Sequence, residues 1–161
     1  LQTNKVKDVH KYPTCIQSLD RLSLAQELDK QLQKEGKTID VYIQVNTSFE
    51  ESKFGLPPDG VLPFLEQIKK YKTLKIKGLM TIGLLDVEKE KMRPSLALLR
   101  ETRNRIYAQK NNDLKDLKLS MGMSQDLELA IEEGSNMVRI GTAIFGNRFL
   151  GKKIWDENLA E

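Results

Sequence analysis

The chain has 161 residues, 39% hydrophobic and 30% charged, which suits one domain with a real core. Its net charge is +3, with 26 basic and 23 acidic residues interspersed, and it has no basic helix or aromatic platform, which argues against a nucleic-acid binder. No apolar run approaches the ~20 residues a membrane span needs. The single Cys15 excludes an internal disulfide and fits a reducing, cytoplasmic compartment, and the single His10 excludes a multi-histidine metal site.

The first segment, Asn4–Tyr12, reads as the end of a helix stopped by Pro13. Cys15–Leu19 reads as a short strand. Arg21–Glu35 is amphipathic, with Leu22, Ala25, Leu28 and Leu32 on one face and Gly36 ending it. Ile39–Asn46 reads as a buried strand and Asn46–Pro58 as a polar loop. Asp59 is the expected N-cap of a helix carrying Val61, Leu62, Leu65 and Ile68. Leu74–Leu79 is the next strand, followed by a charged loop from Thr81 to Glu90. A helix is expected over Pro94–Gln109, with Leu96, Leu99 and Ile106 inward. Leu117–Ser120 and Met137–Ile140 complete the strands, with a helix at Asp126–Glu133 between them. Residues 1–150 form the expected domain and Gly151–Glu161 a polar tail. Strands alternating with helices imply an α/β fold with parallel pairing and right-handed crossovers. On the pattern alone this is an open five-stranded sheet.

Leu117–Arg148 carries the chemistry. Each of its two strands runs into a turn of small residues, Gly122 and Ser124 after the first, Gly141 and Thr142 after the second. Small residues admit a ligand close to backbone N–H groups, and each turn opens a helix whose positive end attracts anions. Two such turns on neighbouring parallel strands point at one spot, the design of a barrel phosphate site. Ser124 serves either as a plain N-cap or as a hydroxyl donor to an anion. Arg139 alternates with Val138 and Ile140 and faces either solvent or a partner inside. Met121 and Met123 read as apolar filler or as the floor under a flat ring. Met80 and Thr81 end another strand near the same mouth. Asp126 and Glu128 are expected to point to solvent, and Lys53 with Glu50 and Glu51 to form a solvated cluster; Asn46 ends its strand with no partner legible.

The motifs SMGMS at Ser120–Ser124 and VRIGTAIFGNR at Val138–Arg148 resemble the pyridoxal phosphate homeostasis protein family (YggS/PROSC type), whose relatives include the barrel domain of alanine racemase. LQTNK at Leu1–Lys5, IQVNTS at Ile43–Ser48, ESKFGL at Glu51–Leu56 and GLMTIG at Gly78–Gly83 extend the likeness over nearly the whole chain, in order. The resemblance implies the C-terminal part, about strands 4–8, of a TIM (β/α)8 barrel of the alanine-racemase type. It implies pyridoxal 5′-phosphate as cofactor, bound by Ser124, Gly141 and Thr142 at the phosphate, with Met121 and Met123 beside the ring and Arg139 against the pyridine nitrogen. The family's Schiff-base lysine lies on a strand that this sequence does not contain, so no catalytic residue is named, and Lys5 and Lys53 belong to other motifs. The chain is accordingly read as a fragment.

The function so implied is a non-catalytic carrier that buffers pyridoxal 5′-phosphate inside the cell, with PLP-dependent apo-enzymes as candidate recipients and no nucleic-acid or membrane partner. The alternative is a PLP-dependent amino-acid racemase of the same barrel type. That enzyme uses a second base, a tyrosine from a further domain, whereas Tyr12, Tyr42, Tyr71 and Tyr107 fall in or beside expected helices and strands. A guanidinium can only donate, so Arg139 would keep the pyridine nitrogen unprotonated and weaken the ring as an electron sink. A nucleotide- or sugar-phosphate-binding barrel shares the cradle but has no need of Arg139.

Overall fold

The computed structural model describes residues 1, 6, 13–84, 88–109 and 113–146. The expected helix over Asn4–Tyr12 lies outside them apart from Val6, which is fully buried. His10, Tyr12 and the tail Gly151–Glu161 also lie outside.

Four strands form one sheet: β1 (Cys15–Leu19), β2 (Ile39–Gln44), β3 (Leu74–Met80) and β4 (Lys118–Ser120). All pairings are parallel, in the order β1-β2-β3-β4, with Ile39 opposite Leu74 and Leu79 opposite Leu119. Parallel strands tend to be covered on both faces, and β2 at the middle of the sheet shows this most fully. In β2, Val41, Tyr42, Ile43 and Gln44 are all buried. The helices α1 (Leu22–Glu35), α2 (Val61–Ile68) and α3 (Lys89–Tyr107) connect successive strands, and α4 (Leu127–Glu132) and α5 (Thr142–Phe145) follow β4.

The sheet is curled. A flat sheet would set β1 and β4 about 14 Å apart, three inter-strand spacings. Yet the Ser120 hydroxyl of β4 donates to Gln17 Oε1 of β1 at 2.6 Å, and Gln17 Nε2 donates to the Met137 sulfur at 2.9 Å. Consecutive strand order with side chains meeting across the concave face is the wall of a barrel, not a doubly wound sheet, whose order reverses.

Several elements depart from the sequence expectations. Met137–Ile140 is not a strand. Only Met137 forms a bridge, to Ser120, although the segment still bonds to β4 and the turn after it: Met137 N–H to Leu119 O, Met121 N–H to Met137 O, and Arg139 N–H to Gly122 O. The ladder loses regularity because the chain turns at Gly122, where φ is +97°. Helix α3 begins at Lys89, not Pro94, and holds Pro94 inside it. Its first turn is pinned from outside: Arg93 bonds Glu90 at 2.9 Å, Glu132 at 2.7 Å and Glu133 at 3.2 Å, fastening it to the end of α4. Asp59 does not cap α2. It lies in a one-turn 3-10 helix, Pro58–Gly60, and accepts from Arg105 at 2.6 Å. In α1 the buried face is Leu24, Ala25, Leu28 and Leu32, while Leu22 is 39% exposed.

Candidate functional site

The turn after β4 is built on a buried carboxylate. Asp126 is 1% exposed, and its Oδ1 accepts the Met123 N–H at 2.6 Å. Its Oδ2 has no hydrogen-bond partner among the described residues. This corrects the expectation that Asp126 faces solvent: the N–H it satisfies belongs to the turn itself, so the carboxylate is drawn inward. Glu128 does face solvent, where it pairs with Lys89. Gly122 fits tightly, since an added Cβ would come within 2.5 Å of the Ala130 Cβ.

The second turn meets the first. The Ala143 N–H donates to Ser124 Oγ at 3.1 Å, which leaves the Ser124 hydroxyl proton available. The N–H groups of Ser124, Gly141 and Thr142 donate to no acceptor among the described residues. Gly141 has φ −117°, a value open to any residue, and a Cβ there would meet nothing within 4 Å. The fold itself therefore does not demand glycine at this point, and the space beside it is free for a ligand. Helices α4 and α5 span six and four residues, too few aligned peptides for a full macrodipole. Individual N–H and hydroxyl donors, not helix ends, are what this cradle offers.

Arg139 is half-buried and points across the ends of β3 and β4. Nη1 donates to Ser120 Oγ at 2.7 Å and Nη2 to the Thr81 carbonyl at 2.7 Å. The solvent-facing alternative is thereby excluded. Burial pulls the guanidinium below its ordinary pKa, and the nearby negative charge of Asp126 opposes that shift. The group stays cationic at neutral pH, since even a marked depression leaves guanidinium protonated.

A cavity of about 500 Å³ lies between the turns, lined by Met123, Ser124, Gln125, Arg139, Gly141, Thr142 and Ala143. Five of the six residues singled out in the sequence meet there. The sixth, Met121, is fully buried in the core and does not line it. Gln125 and Ala143 were not legible as site residues, since one offers an unremarkable side chain and the other only its backbone.

The loop after β2 is anchored to the same end of the sheet. Asn46 Nδ2 donates to the carbonyls of Glu50 at 2.9 Å and Lys53 at 3.3 Å. Lys53 is not a solvated charge: its Nζ reaches Glu50 Oε1 and the Gly83 carbonyl, both at 2.8 Å. Thr47 and Thr81 share a buried hydroxyl contact at 2.9 Å. Met80 is buried, and Thr81 is used by these contacts, so neither lines the cavity.

The donor set fits an organic phosphate carrying a basic ring. Ser124 and Thr142, which carry hydroxyls, border the same cavity as Gly141 and the Arg139 guanidinium, and three of the backbone N–H groups there have no acceptor among the described residues.

Comparison with known proteins identifies the family. Residues 1–148 match the family model described as "Alanine racemase, N-terminal domain". The "Pyridoxal phosphate homeostasis protein" of Aquifex aeolicus (strain VF5) is 43% identical over 92% of this chain and 64% of its own length. PipY of Synechococcus elongatus PCC7942, solved without PLP, superposes with a TM-score of 0.81 at 31% identity, over 91% of this chain and 67% of its own. The same protein solved with PLP bound gives a TM-score of 0.78 at 29% identity over the same shares. The chain spans less than two thirds of the length of the curated relatives it matches. On the family model, the order of its motifs and the curled parallel sheet, the chain belongs to the alanine racemase N-terminal domain family, in the branch of the pyridoxal phosphate homeostasis proteins.

Proposed function

We propose that this chain carries the phosphate- and ring-binding portion of a non-catalytic pyridoxal 5′-phosphate carrier that buffers the intracellular supply. The observation that carries the reading is the convergence of Ser124, Gly141, Thr142 and Arg139 on one cavity. Likeness to a PipY structure solved with PLP bound supports it. Ser124, Thr142 and the free N–H groups hold the phosphate. Met123 lies beside the ring, and Arg139 donates to the pyridine nitrogen. When bound, the cofactor supplies a reactive aldehyde and an electron-accepting ring.

Arg139 favours this reading over the racemase. A group that can only donate leaves the ring nitrogen unprotonated, which suits storage better than carbanion chemistry. None of the described tyrosines lines the cavity: Tyr42 is in β2, Tyr71 follows α2, and Tyr107 ends α3. A cytoplasmic location and PLP-dependent apo-enzymes as recipients belong to the same proposal. The free thiol of Cys15 supports the location, and among the described residues no helix is long and apolar enough to cross a membrane.

The test is a titration of the chain with pyridoxine 5′-phosphate, which keeps the ring and phosphate but has no aldehyde to label surface lysines. Reversible binding with competition by inorganic phosphate is expected. Failure of phosphate to compete would remove the cradle, and amino-acid racemisation by the cofactor-loaded chain would remove the carrier.

A further inference from the structure

Gln17 sits in the middle of β1 and does not line the cavity, and no motif pointed to it. Its side chain crosses the interior to Ser120, which is fully buried. The direction of each bond in this chain follows from chemistry. Arg139 can only donate, so Ser120 Oγ accepts from it at 2.7 Å. The one hydroxyl proton of Ser120 then goes to Gln17 Oε1 at 2.6 Å. Gln17 is itself oriented by its second contact, from Nε2 to the Met137 sulfur at 2.9 Å. The other arm of Arg139 ends on the Thr81 carbonyl.

Both acceptors of Arg139 are neutral. A buried arginine is ordinarily paired with a carboxylate. Here the carboxylate that acts on it, Asp126, does so through space, and the hydrogen bond of Asp126 goes to the Met123 N–H. A glutamate in place of Gln17 would reach Ser120 equally well and would place a second negative charge one hydroxyl away from the guanidinium. Glutamine supplies the acceptor without the charge.

We propose that Gln17 is a positioning residue for Arg139, acting through the Ser120 hydroxyl, and that its neutrality keeps the guanidinium charge undivided for the ligand. The proposal rests on the reading that Arg139 faces the ring nitrogen of a pyridoxal-type cofactor. Two substitutions separate its geometric and electrostatic parts. Gln17→Leu removes the acceptor and frees the Ser120 hydroxyl to rotate. Gln17→Glu keeps the shape and the acceptor but adds charge.

The experiment titrates the chain, Gln17→Leu and Gln17→Glu with pyridoxine 5′-phosphate. The near-ultraviolet spectrum of the bound ring is followed across pH as a report of ring-nitrogen protonation, and inorganic phosphate is titrated in parallel. Gln17→Leu is expected to weaken pyridoxine phosphate by about three- to tenfold, the size of one neutral hydrogen bond, with phosphate affinity unchanged. Gln17→Glu is expected to hold its affinity within about threefold but to raise by about one unit the pH at which the bound ring protonates, because the added carboxylate favours a positive ring. If Gln17→Leu fails to fold by circular dichroism, the isosteric Gln17→Glu carries the test. Ring protonation and affinity unchanged in the folded variants, while phosphate still competes in the parent chain, would overturn this inference and leave the site reading standing. Absence of phosphate competition in the parent chain would overturn the site reading, and the inference with it.

Discussion

Gly122→Ala tests whether the first turn is as tightly specified as its geometry indicates. Two separate costs apply. The backbone at φ +97° disfavours a side chain, at about 1–2 kcal/mol for an L-residue in left-handed conformation. The new methyl would also stand 2.5 Å from the Ala130 Cβ and 3.3 Å from Val138 Cγ1, and overpacking of this kind costs about 1–3 kcal/mol. The sum is about 2–5 kcal/mol. Ala130→Gly separates the two. Alone it should cost about 2 kcal/mol, from helix propensity in α4 and one buried methyl. In the double variant the clash is gone while the backbone strain remains. Urea denaturation of the four proteins should therefore show the double variant more stable than additivity predicts, by about 1–3 kcal/mol. A Gly122→Ala cost under about 0.5 kcal/mol would refute the reasoning, as would additivity within about 0.5 kcal/mol.

Ser124→Ala with Thr142→Ala should weaken pyridoxine 5′-phosphate at least about tenfold, since each hydrogen bond to a charged group is worth about 1.5–3 kcal/mol; an unchanged isotherm would leave only backbone contacts in the cradle. Lys53→Met keeps the aliphatic stem but strands the Gly83 carbonyl, at about 1–2 kcal/mol of stability, with faster proteolytic nicking of the loop after β3; nicking at the parent rate would deny Lys53 its clamping role. Burial, and then the negative charge of Asp40, raises the Cys15 thiol above its ordinary pKa. The thiolate fraction at pH 8 is then lowered, and iodoacetamide should alkylate Cys15 more slowly than free cysteine; an equal or faster rate would contradict it.

The strands were legible from short clusters of apolar and β-branched residues, such as Val41–Ile43 in β2, bounded by turn or helix signals. The fifth was misread for a local reason. Met137–Ile140 has the composition of a strand, but its pairing depends on β4, which bends away at Gly122, and glycine does not announce its sign of φ in sequence. The start of α3 was placed at Pro94 because proline usually opens helices. The turn before it is held by Arg93 reaching three glutamates, two of them about forty residues away. Asp126 was misjudged because local chemistry favours an exposed acid at a helix start, while its real partner, the Met123 N–H, lies upstream in a turn whose shape the sequence does not give. Ser124, Gly141, Thr142 and Arg139 could be picked out because small and donor residues recur in or after two apolar stretches, β4 and Met137–Ile140. Gln17, some hundred residues away, carried no such pattern.

The bracing of Arg139 by neutral oxygens bears on ionic strength. Charges on an open surface lose their attraction beyond the screening length, about 8 Å at physiological salt, so lysine-dependent anion sites weaken steeply as salt rises. Arg139 acts from a half-buried position, where screening is weaker than on an open surface, and its two hydrogen-bond acceptors carry no charge for added cations to compete with. Its contribution to ligand affinity should therefore change little between dilute buffer and cytoplasmic salt. The salt dependence of binding should then come from the phosphate end of the cavity and not from Arg139.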